Sequence, residues 1–431
     1  QSRSSAASDV YKRQDNNEAN AYDYYKYVFS TGSYIDSLKL SGTVGDIKFP
    51  KTTEPMTVML YEMTEDFKDS LIYTEKPTYV TITKDSTDRF ELTNLKEGNY
   101  LLLALQEISN DFKYQPQTDK IGFIQDAVSL PSDSLFSLKV FKEAPTNKVR
   151  LGKHETKQHI IFDYDGDTPS LDIEVISEVP EAFSYRSFKD AEKDSLHYWF
   201  KPALEVESLL FKIKNASKID TVQVRMRDLF ADSLKINPIN VGILKPRDTF
   251  FLRANTPLVA IDSEKIQLTD KDTLAVPFQA EIQTQTNKIA FTFDRAEEQT
   301  YTFNVLPGAI TDFFESTNDT LQYRVGTKLI SDYGEITVQL SNAKNFPILV
   351  ELVDASFQPV DQYYLKENKE VNFGFIDPGF YYIRIIFDTN ENGQWDSGHF
   401  LTRTQPEKIL YYPSKIEVKP NWSLNETFIL E

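Results

Sequence analysis

Within FDTNENGQWDSGHF, residues 387 to 400, oxygen-bearing side chains recur at every second position: Asp388, Asn390 and Asn392, then Gly393, Gln394 and Asp396. This spacing matches the first nine places of a twelve-residue loop that wraps a calcium ion. Alternate side chains of a tightly curled loop point inward, and a glycine at the sixth place permits the sharp turn. Gln394 would contribute its carbonyl oxygen. The twelfth place is His399, where the calcium loop carries a bidentate Glu, and both flanks, YYIRIIF and HFLTR, read as strands. Without that carboxylate, a calcium site here would bind in the range of about 10⁻⁴ to 10⁻³ M. The competing reading is a metal-free polar turn in which Asn and Asp side chains bond their own backbone around Asn392-Gly393, and the residue types favour it.

Other polar constellations are weaker. Glu107, Ser109 and Asp111 have similar spacing, but Phe112 stands where the glycine would be and Gln115 replaces the last acid. Asp163, Asp165 and Asp167 alternate around Gly166 and read as a turn. His154 and His159 in HETKQH stand at i and i+5 in a β context. A zinc-protease helix needs i and i+4, so no zinc site is expected. His197 in LHYWF reads as a half-buried strand residue. No Gly-x-Ser-x-Gly elbow, phosphate loop or base–nucleophile pair is present, so no catalytic residues and no enzymatic activity are expected. Tyr411, Tyr412, Pro413 and Trp422, and separately Tyr198 with Trp199, could offer a sugar-stacking face, although packing within sheets is the stronger reading.

The elements that position these residues have a period of two. TVMLYEM (57–63), RFELTNL (89–95), FKIKN (211–215), TVQVRMR (221–227), KIAFTF (288–293), YTFNVL (301–306) and EITVQL (335–340) alternate or form short apolar runs between turn residues. The expected fold is all-β, a tandem of β-sandwiches. A repeat organises it: FELTNLKEGNYLLLALQ (90–106) aligns without gaps on VNFGFIDPGFYYIRIIF (371–387), with Phe90, Leu92, Leu95, Gly98 and Tyr100 on Val371, Phe373, Ile376, Gly379 and Tyr381. The glycine is read as a turn residue with φ above zero, and the strand after it as buried on both faces.

The expected divisions are a non-native end at 1–14, the last strand of a truncated domain at 15–37, and sandwiches at 38–146, 147–243, 244–331 and 332–431. The 431 residues include no cysteine and carry a net charge of −18, which disfavours nucleic acid and excludes disulfides and thiol chemistry. No apolar run reaches the roughly 20 residues of a membrane span.

TPLVAIDSEKIQLTDKDT (256–273) followed by YTFNVLPGAITD (301–312) resembles the S-layer-type bacterial Ig-like domain. The two Gly-x-Tyr hairpins resemble transthyretin-like, carboxypeptidase-regulatory-type sandwiches, and YYKYVFSTGSYIDSLKLSGTV (24–44) the last strand of a further Ig-like domain. The order is similar to Ig-like-domain-containing envelope lipoproteins of Bacteroidota. That resemblance implies an extracytoplasmic, envelope location, a lipid anchor on a missing N-terminal segment, and a non-catalytic role as spacer or binding scaffold. Envelope proteins or glycans are the expected partners. A carbohydrate-binding module and an accessory region of a cell-surface hydrolase are the alternatives.

Overall fold

The computed structural model describes residues 36–430 apart from 51–53, 84–87, 146–147, 167–170, 191 and 216–217. The expected non-native end, most of the expected remnant strand, and Asp167 lie outside the described residues. Strands dominate what is described, with short 3₁₀ turns such as Asp69–Tyr73 between them. The protein is a tandem of β-sandwiches, each with a buried core.

The first and fourth sandwiches share one topology. In the first, Leu38–Asp46 lies between Arg89–Leu95 and a parallel Leu135–Val140. The facing sheet runs Tyr79–Ile82, Thr57–Glu62, Gly98–Gln106, Lys120–Phe123, with Val128–Leu130 also on Gly98–Gln106. In the fourth, Gly334–Ser341 lies between Val371–Ile376 and a parallel Ser423–Ile429. Its facing sheet runs Pro359–Leu365, Ile348–Val353, Gly379–Phe387, Ile409–Tyr411, with Ile416–Val418 on Gly379–Phe387. Register agrees as well: Gly98 and Tyr100 pair with Leu130 and Val128, as Gly379 and Tyr381 pair with Val418 and Ile416.

The hairpin glycine has the expected φ above zero in the first copy and departs from that expectation in the second. Gly379 is not in the left-handed region, and Gly98, at φ +157°, lies near its edge. The left-handed turn residues are Asn94 (φ 62°) and Phe375 (φ 56°), at equivalent places four residues earlier. The glycines lie beside tyrosine rings, 3.5 Å from where a Cβ would stand. Each tyrosine hydroxyl crosses the turn: Tyr100 donates to the Lys96 carbonyl at 3.0 Å and Tyr381 to the Asp377 carbonyl at 2.8 Å. The following strand is buried on both faces, as its unbroken run LLLAL demands.

The second sandwich sets Ser184–Lys189, Ser195–Lys201, His159–Asp165 and Lys148–Thr156 against Asp172–Val175, Ser208–Asn215 and Lys218–Arg225. The third begins before the expected residue 244. Ile236–Pro238 pairs with Phe250–Ala254 and Gly242–Ile243 with Leu321–Gly326, because Ile236 and Leu244 fill the third core and not the second. The S-layer-like motif residues meet here. Asp262 donates its N–H to the Ala309 carbonyl at 2.7 Å and its side chain caps Glu264, while Ile266, Ala309 and Ile310 are buried together. The motif thus closes a core.

Candidate functional site

The loop after Gly379–Phe387 gathers Asp388, Asn390, Asn392 and Asp396. Asp388 is buried, and its two oxygens accept the N–H of Asn392 at 3.2 Å and of Gly393 at 2.7 Å. Asn390 and Asn392 donate their amides to the same Asp396 oxygen, at 2.8 and 2.7 Å. Their carbonyl oxygens accept the N–H of Asn392 and of Gln394, at 3.2 and 2.8 Å. Those backbone donors orient both carboxamides. Gln394 enters the network through its N–H. Glu407, which the spacing had not singled out, closes the loop from behind by accepting the N–H and hydroxyl of Thr389 at 2.6 and 2.9 Å and the N–H of Asp396 at 3.1 Å.

The aligned loop of the first sandwich has the same backbone. Asn110 and Phe112 are left-handed (φ 53° and 62°), as Glu391 and Gly393 are (63° and 77°). Glu107 accepts the N–H of Phe112 at 3.0 Å as Asp388 accepts that of Gly393, and Asp111 accepts the N–H of Lys113 at 3.1 Å as Asn392 accepts that of Gln394. At the ninth place Gln115 donates to Asp111 at 3.2 Å and Ser109 at 3.3 Å, where Asp396 accepts from Asn392 and Asn390. The closing bonds have reversed direction while the loop has kept its shape. A strained Phe takes the glycine's place because its ring is buried in the core beneath.

The segment after this loop reaches the first sandwich. Phe400, fully buried, inserts beside Leu103, Phe112 and Phe141, its ring 5.3 Å from that of Phe123. Its N–H donates to Glu143, which also accepts from the Tyr114 hydroxyl at 2.8 Å. Ser397 donates to the Lys142 carbonyl, Gln405 to the Phe123 carbonyl at 2.9 Å, and Arg403 pairs with Asp69. Gly398 is required: a Cβ there would come within 2.6 Å of the Phe141 ring and the Thr404 carbonyl. In the opposite direction, Lys48 of the first sandwich lies 3.8 Å over Trp395 and its carbonyl accepts from the Tyr411 hydroxyl. The two repeat copies therefore grip each other.

The remaining sequence candidates disperse. Asp163 and Asp165 lie in a strand that ends at left-handed Gly166, and Asp165 is paired with Arg150, which holds its carboxyl below the usual range. His154 sits in a hairpin with both nitrogens engaged: Nδ1 accepts from Arg227 N–H at 3.0 Å and Nε2 faces the Lys157 carbonyl at 3.3 Å. Tyr198 and Trp199 are buried and offer no stacking face. Tyr411 and Tyr412 are half-buried, and Trp422 is 47% exposed.

A chain of side chains unseen in the sequence runs His159 Nε2 to His197 Nδ1 at 2.9 Å and His197 Nε2 to Asp190 Oδ2 at 2.9 Å. Burial, then His197 and His154, push His159 down to about 3. Burial works against the Asp190 carboxylate, yet His197 and the N–H groups of Glu192 and Lys193 hold its pKa below the usual range. Residues 159, 190 and 197 have no local spacing; the one legible signal was the alternation in SLHYWFK, which puts His197 and Trp199 on one face.

No family model matches the chain, and no curated protein matches it. Similar solved structures include domains 4–9 of the surface layer protein SbsC (11% identity, 84% of this chain and 57% of that one, TM-score 0.22). Others are the insect immune protein hemolin (10%, 92% and 97%, TM-score 0.21) and the major pilin subunit of Bacillus cereus (11%, 91% and 99%, TM-score 0.16). Likenesses of this size carry no argument about function. The sandwich fold rests on the strands and cores described above.

Proposed function

We propose that the protein is a non-catalytic structural and interaction protein of the cell envelope, a closed scaffold whose first and last sandwiches are clamped together. One observation carries this reading: Phe400, from the fourth sandwich, is fully buried in a cluster of the first. A row of sandwiches would work as a spacer, whereas a chain locked end to end holds its surface loops in fixed relation, which suits a binding scaffold. The motifs singled out in the sequence support a non-catalytic role, since they close turns and cores. The shared eight-strand order and the Gly-x-Tyr hairpin support reading the first and fourth sandwiches as transthyretin-like. Envelope location and a lipid tether rest on the sequence resemblance alone.

Small-angle scattering tests the closed body. A compact chain of this length has a radius of gyration of about 22 Å, and four domains in a row roughly twice that. A value near the lower figure supports the clamp; one near the upper figure removes it.

A further inference from the structure

The hairpin formed by Ser184–Lys189 and Ser195–Lys201 carries the second sandwich's contacts to the third. Phe188 and Trp199 are buried against Phe313 and Phe314. Lys201 donates to the Phe313 carbonyl at 2.8 Å, the Lys189 N–H to the Gln285 carbonyl at 3.3 Å, and Glu192 pairs with Arg253 at 3.2 Å. The glutamate of that pair is exposed, so the pair contributes little and the rings carry the joint. Behind Trp199 the rings continue as a stack: Trp199 on His159 at 3.8 Å, His159 on His197 at 5.0 Å, and His197 on Phe188 at 4.9 Å. Two histidines thus lie between the aromatic residues that make the joint.

With both imidazoles neutral, His197 Nε2–H donates to Asp190 and His159 Nε2–H to His197 Nδ1, each at 2.9 Å. One added proton fits, as a His197 imidazolium between the Asp190 carboxylate and a His159 that has moved its own proton to Nδ1. A second does not, because it sets N–H against N–H at 2.9 Å and puts a charge on a buried ring. The other titratable groups facing the pair are His154 and Glu155 from Lys148–Thr156, Asp232 from the connection between the sandwiches, Lys189 from the hairpin and Arg253 from the third sandwich. Glu155 pairs with Lys153 and Asp232 takes the Thr156 hydroxyl, whereas Lys189 and Arg253 oppose a second cation. Arg253, Asn255 and Thr286 close the cleft of about 380 Å³ that both histidines line, so parting the sandwiches opens the pair to water. The closed joint holds one proton on the pair where the open joint holds two. We propose that the junction of the second and third sandwiches is an acid-operated joint, closed at neutral pH and opened when His159 and His197 are both protonated. It goes beyond the scaffold reading and involves a different pair of sandwiches from the clamp. With His159 held down to about 3 while closed and near the usual value of about 6.5 when open, the ratio of open to closed rises about tenfold for each pH unit between those values.

The test places spin labels on the full chain at Ile176→Cys and Leu274→Cys, exposed sites in the second and third sandwiches, and reads their separation from about pH 7.5 to about pH 4.5, across the ordinary histidine range. His159→Gln keeps a donor toward His197 and does not titrate, and His159→Phe keeps a ring in the stack. Either one decides if the other fails to fold. Glu192→Gln removes the exposed ion pair and tests whether carboxylate titration is the cause instead. Near-ultraviolet circular dichroism follows the cores over the same range. The expected result is a narrow distribution at neutral pH that gains a longer, broader component on acidification and loses it on return. That component grows at least tenfold less in the His159 variants, follows the parent in Glu192→Gln, and appears with the near-ultraviolet signal kept. A separation that does not change with pH, an equal change in the His159 variants, a pH response lost in Glu192→Gln, or a change that coincides with loss of the near-ultraviolet signal overturns the proposal.

Discussion

Asp388 and Glu107 do the same work in two copies of one loop, each folding a carboxylate back onto the N–H five residues on. The first copy reaches this shape with Gln115 in place of the last acid, so direct hydrogen bonds suffice to build the loop. Asp388→Ala would take the acceptor from the half-buried Gly393 N–H, at a cost of about 1–3 kcal/mol, while the Asn392 N–H keeps its bond to Asn390. The expected result is a lower thermal midpoint by the same amount in millimolar calcium and in chelator; a loss seen only in calcium would make the loop a metal site. His159 supplies a pH signature. Its folded value near 3 lies below the usual 6.5, so the unfolded chain takes a proton that the folded chain refuses. Its contribution is complete above pH 6.5 and is lost as pH falls toward 3, with a slope of up to about 1.4 kcal/mol per pH unit. Chemical denaturation across that window should show a shallower fall for His159→Phe than for the parent.

The repeated hairpin is the element on which the first and fourth sandwiches turn. Tyr100 and Tyr381 strap equivalent turns, so Tyr100→Phe and Tyr381→Phe should each cost about 1 kcal/mol, and the double variant their sum, because the two hydroxyls share no partner. A larger combined loss would show that the two turns are energetically coupled. Much at this scale was legible in the sequence. KIAFTF and RFELTNL are strands with the bounds their alternation marked, and the gapless repeat foretold a shared strand order. The left-handed residues were not legible, since Phe112 and Phe375 hold that conformation through packing and not through local preference. The start of the third sandwich was missed because Ile236 and Gly242 lie in strands too short to alternate.

At the scale of the whole molecule the clamp was invisible in the sequence, because HFLTRTQPE has no period and its partners stand 257 to 334 residues earlier in the chain. Phe400 nonetheless fills a place in the first sandwich's outer cluster. Phe400→Asp would bury a charge among apolar rings and should open the clamp while leaving four folded cores. The absence of cysteine in the chain makes one measurement clean: spin labels at Ile108→Cys and Leu401→Cys, both exposed and both near the joint, read by pulsed electron resonance. The clamp predicts a short, narrow distance distribution that becomes long and broad when Phe400→Asp is added. A distribution already long and broad in the parent, and unmoved by that substitution, would contradict it.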